Sequence, residues 1–329
     1  MTAPALPRVP LRHSVRVVAR QHRLAVRLTG GLALAAVIGL VAVALWSSHL
    51  TDAFEAGPCS VEGDPGRDCY RPVREHLDTM LGLSRVFDVT GTALIALPVV
   101  LGAFVAGPMI ARELESGTYR LSWTQSVSPS RWLTAKLAVP AVLALSGVTV
   151  LTAVLARARS GTHAVYPANW YEPGVFAASG VVPLAYTAFG LCTGALAGLL
   201  VRRTVPALTA ATLVTAAVVA ALVELRGSLW PLRTRAGTPQ EISALYDDSW
   251  IIDSGRTTAD GARVSFDTCW QPVSEHPACL AGRTVTGNWA SHHPASHFWP
   301  LQLVETGILL ALSALALALA FRVLRRSHG

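Results

Sequence analysis

Three histidines near the end of the sequence, His292, His293 and His297, are the residues whose spacing first suggests chemistry. Imidazoles four apart on a helix can share a metal ion. Here Pro294 interrupts the run, and no cysteine or carboxylate stands nearby at a metal-site spacing. They therefore read as a solvated, histidine-rich loop, and no metal site is expected. Catalytic signatures are missing as well. The sequence has no G-x-x-x-x-G-K-[ST] phosphate loop, no H-E-x-x-H and no G-x-S-x-G elbow. No catalytic residue and no cofactor is assigned to this chain, which is not expected to be an enzyme.

The five cysteines divide by position. Cys192 stands alone in an apolar stretch, whereas Cys59, Cys69, Cys269 and Cys279 fall in polar loops. Disulfides persist outside the cytosol. Pairing Cys59 with Cys69 and Cys269 with Cys279 closes short loops at the lowest entropic cost, although cross-loop bridges satisfy the same four residues.

A third group lies between two apolar stretches, in the polar run Ala111–Trp132. Connectors in compact domains are usually about 4–6 residues long, so this one is long for an idle loop. Gly117 supplies the backbone freedom that ends a helix after Glu115. Thr118 can cap a second, short helix on which Tyr119, Trp123 and Val127 recur at i, i+4 and i+8 as one apolar stripe. Ser128-Pro129 is a cap followed by a first-turn proline, the restart of a further helix. Arg112, Glu113, Glu115, Arg120 and Arg131 charge the flanks.

The elements that hold these residues must be membrane helices. The chain has 329 residues, 52% hydrophobic and only 14% charged, with a mean hydropathy of +0.44. A soluble globule carries about 25% charged residues. Six windows reach the roughly 20 residues that cross a hydrocarbon core as helix: 28–48, 87–110, 133–156, 174–200, 204–223 and 301–321. Asp88, Glu224 and Glu305 lie near window ends, so the midplane lacks the carboxylates expected of a proton-coupled carrier. All basic charge but Lys136 is arginine, and the net charge is +7. Placing both termini in the cytoplasm puts fifteen basic residues in inner segments and six in short outer ones. The excess of cytoplasmic positive charge that orients membrane helices accounts for this distribution, so no nucleic-acid partner is expected. Trp46, Trp170, Tyr171, Trp230 and Trp299 then fall at outer ends, in the headgroup zone.

Before the first window, Arg8, Arg12, Arg16, Arg20, Arg23 and Arg27 recur every three or four residues. On a helix they form one face, suited to an interfacial helix that reaches lipid phosphates. In the fourth window Gly190, Gly194 and Gly198 form a small-xxx-small stripe, expected to seat a neighbouring helix of the same subunit rather than a dimer partner.

The run "RELESGTYRLSWTQSVSPSRWLTAKL" resembles the first cytoplasmic loop of type-two ABC transporter permeases. The matching positions are Glu113 or Glu115, Gly117-Thr118, Leu121 to Val127, Ser128-Pro129-Ser130-Arg131 and Lys136. The basic leader resembles that family's interfacial connecting helix, and the six-span layout with both ends inside is similar too. The resemblance implies an all-α, multi-pass protein of the plasma membrane: the membrane-spanning subunit of an ATP-driven exporter. It also implies a separate ATP-binding subunit that carries ATP and magnesium, docked on Arg112, Glu113, Glu115, Gly117, Thr118, Tyr119, Trp123 and Arg131. The subunit would work as a homodimer or with a second permease. On this reading residues 1–27 are the basic interfacial helix and 28–224 the first five spans, with the coupling segment at 111–132. Residues 225–299 are a cysteine-bearing outer insert, longer than is usual in the family, and 300–329 the last span and tail. The alternative from another class is a membrane-anchored sensor or scaffold whose outer insert binds a ligand.

Overall fold

The computed structural model describes residues 23–61, 68–120, 128–160, 169–246, 248–266 and 284–328. The chain divides into two compact units, one made of Met1–Ala168, Glu172–Ala221 and Thr306–Gly329, the other of Asn169–Tyr171 and Leu222–Glu305. Among the described residues six helices are long and apolar enough to cross a membrane. The chain is thus a mostly helical, multi-pass membrane protein.

In the first unit, α1 (Arg23–Glu55) precedes a helix that runs in three segments: α2 (Tyr70–Val100), a π turn (Leu101–Ala106) and α3 (Gly107–Ser116). Then come α4 (Pro129–Ser160), the short α5 (Pro173–Ala177), α6 (Val182–Val201) and α7 (Thr204–Leu225). The helices outrun the apolar windows because their ends are polar. At the start of α2, Arg71 faces Glu75 at 3.5 Å and Arg74 faces Asp78 at 4.0 Å, the i,i+4 pairs that sustain an exposed helical turn. The connection between α1 and α2 therefore shrinks to residues 56–69, which the Cys59–Cys69 disulfide closes. Cys269 and Cys279 lie outside the described residues. The window at 174–200 is not one helix, because the chain breaks after α5 and turns at Gly180 (φ 63°) before α6 begins.

The glycine stripe packs inside the subunit. A Cβ on Gly190 would sit 2.1 Å from the Pro98 carbonyl oxygen, one on Gly194 2.3 Å from that of Gly102, and one on Gly198 2.8 Å from that of Gly107. Backbone thus lies on backbone along α6 and the α2–π–α3 helix. In lipid, where apolar side chains gain little from hiding from one another, such close van der Waals contact is what joins helices. Thr193 and Thr215 add a hydroxyl pair between α6 and α7 at 3.0 Å. A second core joins α1, α2 and α4 through Leu40, Phe87, Leu94 and Leu155.

The second unit holds the insert, where the sequence reading assigned no secondary structure. It is a four-stranded antiparallel sheet in the order β1-β4-β2-β3, with β1 Arg233–Gly237, β2 Ser249–Thr258, β3 Arg263–Ser265 and β4 Val285–Pro294. The helix α8 (Pro239–Ser243) follows β1 and opens with a capping box, in which Thr238 and Glu241 satisfy each other's backbone N–H groups. The last helix, α9 (Phe298–His328), leaves this unit at Glu305. The histidines correct an expectation. His292 and His293 are strand residues and His297 lies in a 3-10 turn, and all three are buried. An irregular, polar-rich strand carries no alternation from which such burial could be read.

Candidate functional site

The polar run between α3 and α4 is anchored by its two acids, each to a different helix. α3 continues through Ser116, and Gly117 ends it in the left-handed conformation, φ 74°, as the sequence reading expects. One turn earlier Glu113 points at α4. Its Oε2 accepts from Trp132 Nε1 at 3.0 Å, and its Oε1 takes the Lys136 ammonium. The Lys136 side chain is 8% exposed and that of Glu113 26%. A buried ammonium needs a partner of this kind, because unpaired charge out of water is costly.

Glu115, two residues on, faces the other way. Its Oε2 accepts from the Thr204 backbone N–H at 2.9 Å and from the Thr204 hydroxyl at 2.6 Å. A carboxylate there satisfies an otherwise free donor at the first turn of α7 and complements the helix dipole. Past Gly117 the chain turns at once: the Arg120 N–H donates to the Gly117 carbonyl at 3.1 Å, and the Thr118 hydroxyl lies 3.0 Å from that of Ser116. Tyr119 packs on the core formed by Ile110, Trp132, Leu133, Leu199 and Leu324, so this member of the expected stripe seats the segment on the spans. Arg112 and Arg120 are exposed. Arg131 lies in the first turn of α4, where the Ser128 hydroxyl accepts from its N–H at 3.4 Å beside Pro129, the expected restart.

Trp123 and Val127 lie outside the described residues, as do Arg12, Arg16 and Arg20. Arg23 and Arg27 fall within α1, Arg27 exposed. Sequence reasoning gave Trp132 and Thr204 no role and tied Lys136 to the segment only through resemblance. A lone lysine 23 residues from an acid gives no local periodicity to find it by.

Among the described residues the site brings no nucleophile together with a base, and no group of three His, Cys, Asp or Glu side chains could hold a metal ion. The corner that ends α3 is tied to α4 and α7 and leaves Arg112 and Arg120 exposed. Residues 29–226 match the family model described as ABC-2 membrane transporter related. That is more than half of the chain, and the protein belongs to this family: it is a permease-type transport component. ABC-2 permeases generally work with an ATP-binding subunit. Comparison with curated proteins and with solved structures gave no match.

Proposed function

We propose that the chain is the membrane-spanning subunit of an ATP-driven exporter in the plasma membrane, with both termini cytoplasmic, and that Ala111–Trp132 receives the motion of a separately encoded ATPase. That partner would hold the nucleotide and magnesium, and a second permease copy or a related permease would complete the pathway. The observation that carries this reading is the corner at Gly117. Glu113 ties it to α4 through Trp132 and Lys136, and Glu115 ties it to the start of α7. A push on the residues after Gly117 is therefore delivered to α3, α4 and α7 together, which is what coupling requires of an element touched by both proteins. The disulfide loop lies between the first and second spans and the corner between the second and third, on opposite sides of the bilayer. The preference of disulfides for an oxidising compartment supports a cytoplasmic corner.

The test is co-purification with the partner ATPase, followed by ATP hydrolysis and transport in proteoliposomes. Glu113→Ala should leave insertion intact and separate hydrolysis from transport, because Lys136 loses its counter-charge and the corner its anchor. The double variant Glu113→Gln with Lys136→Met removes the charge imbalance and should recover part of the coupling. Wild-type coupling in Glu113→Ala would reduce the segment to a connector.

A further inference from the structure

The second unit contains a proton-dependent contact that transport alone does not call for. His293 Nε2 lies 2.9 Å from the Gly227 carbonyl oxygen, and His293 Nδ1 lies 2.9 Å from His297 Nδ1. A carbonyl only accepts, so His293 must carry its proton on Nε2. Its Nδ1 is then the acceptor, and His297 must donate from Nδ1. The neutral pair thus holds two protons in one permitted arrangement. A third proton can bind at His297 Nε2, which keeps the contact between the two Nδ1 atoms and leaves one positive charge on the pair. A fourth puts N–H against N–H at 2.9 Å and breaks the contact.

The pair is shielded from water. His293 is 0% exposed and His297 6%. Among the described residues the charged and titratable groups that act on His297 are His293 and His292 on β4 and Arg233 on β1; Arg226, next to Gly227 in the chain, is committed to Glu305 of α9 at 2.9 and 3.1 Å. Trp250 covers the His293 ring, with centroids 5.5 Å apart. The contact spans two junctions: Gly227 sits in the turn that follows α7, and His297 in the turn that leads into α9.

The geometry points to an acid-released latch in which the His293–His297 pair pins the turn after the fifth span to the end of β4 and lets go as protons bind. It goes beyond the transport reading and does not depend on it.

The test is hydrogen exchange on the full-length protein in nanodiscs at pH 7.5 and 5.5, corrected for intrinsic exchange, read on peptides covering 225–230 and 291–299. Opening coupled to uptake of one proton rises up to about tenfold per pH unit below the ordinary pKa of a free imidazole, near 6.5, so about one of these two units counts and the wild type should exchange about tenfold faster in these peptides at the lower pH. His293→Gln places an uncharged N–H at the Nε2 position and should keep the Gly227 contact while flattening the pH response. His297→Asn keeps a donor toward His293 and should flatten it as well. His49→Gln, on α1, should respond like the wild type. Exchange independent of pH in the wild type, or an undiminished response in both pair variants, would overturn the latch. So would zinc at fixed pH giving the protection that neutral pH gives, which would assign the pair to a metal.

Discussion

Gly117 allows the coupling corner to be tested without disturbing its contacts. Its φ is 74°, and a Cβ built there meets nothing within 4 Å, so a substitution at this position changes backbone preference alone. Asn tolerates the left-handed region, whereas a β-branched residue is a strong outlier there. Gly117→Asn should therefore behave nearly as wild type. Gly117→Ala should cost about 1 kcal/mol and Gly117→Val about 2 to 3. At about 1.4 kcal/mol per factor of ten, 2 kcal/mol lowers the ratio of native to non-native corner about thirtyfold. The assay is the ratio of substrate moved to ATP hydrolysed, in proteoliposomes containing permease and partner ATPase, with insertion checked separately. The ratio should fall in the order glycine, asparagine, alanine, valine while insertion stays constant. Equal coupling in the asparagine and valine variants would refute both the strain and the role given to the corner.

Other consequences follow from single contacts. Glu305→Ala leaves the Arg226 guanidinium, 1% exposed, without its counter-charge and should cost about 3–5 kcal/mol, whereas Arg226→Met with Glu305→Leu should cost far less; thermal unfolding in detergent separates the two. Gly194→Ala drives a methyl group into the Gly102 carbonyl at 2.3 Å and should destabilise by about 1–3 kcal/mol, while Gly147→Ala, in open space, should not. Cys59→Ser with Cys69→Ser opens a loop of sequence separation 10 and should cost about 2–3 kcal/mol, measurable as a lower midpoint in non-reducing thermal melts. Burial first, then the neighbouring Arg233 and Arg235, hold the His292 imidazole below its ordinary value. Its unfolded form binds the proton more readily, so its contribution to the sheet is complete above about pH 6.5 and is lost as pH falls below that. His292→Asn should shallow the acid limb of a melting-temperature profile.

The sequence carried most of the membrane helices because spans announce themselves in any window of apolar residues. It carried the corner because Gly117 and Ser128-Pro129 are local punctuation whose meaning needs no tertiary context. The glycine stripe was legible for the same reason: a repeat of four puts small residues on one helix face and allows close approach. What was hidden depends on partners far along the chain. Lys136 finds Glu113, and Thr204 finds Glu115, across separations of 23 and 89 residues. The break at Ala178–Val181 is invisible to hydropathy because alanine, glycine and valine are apolar whether or not they are helical. The insert was the hardest to read. Its central strand, Val285–Pro294, mixes Gly, Asn, Ser and His with one tryptophan, and their burial depends on which neighbour each meets.

Along α6 the three contact glycines are spaced four and four, yet the backbone they meet is spaced four, from Pro98 to Gly102, and then five, from Gly102 to Gly107. The surplus residue falls inside the π turn Leu101–Ala106, which acts as a phase shifter between two otherwise ordinary stretches of helix. One residue amounts to about 100° of rotation on an α-helix. Everything beyond the turn, including the two acids that fix the corner, owes its azimuth to that single extra residue. Deleting Phe104, whose side chain is 63% exposed, would remove little packing, but it would swing Glu113 away from Lys136 and Glu115 away from Thr204. A change in the middle of the span would thereby be felt as a miswired end.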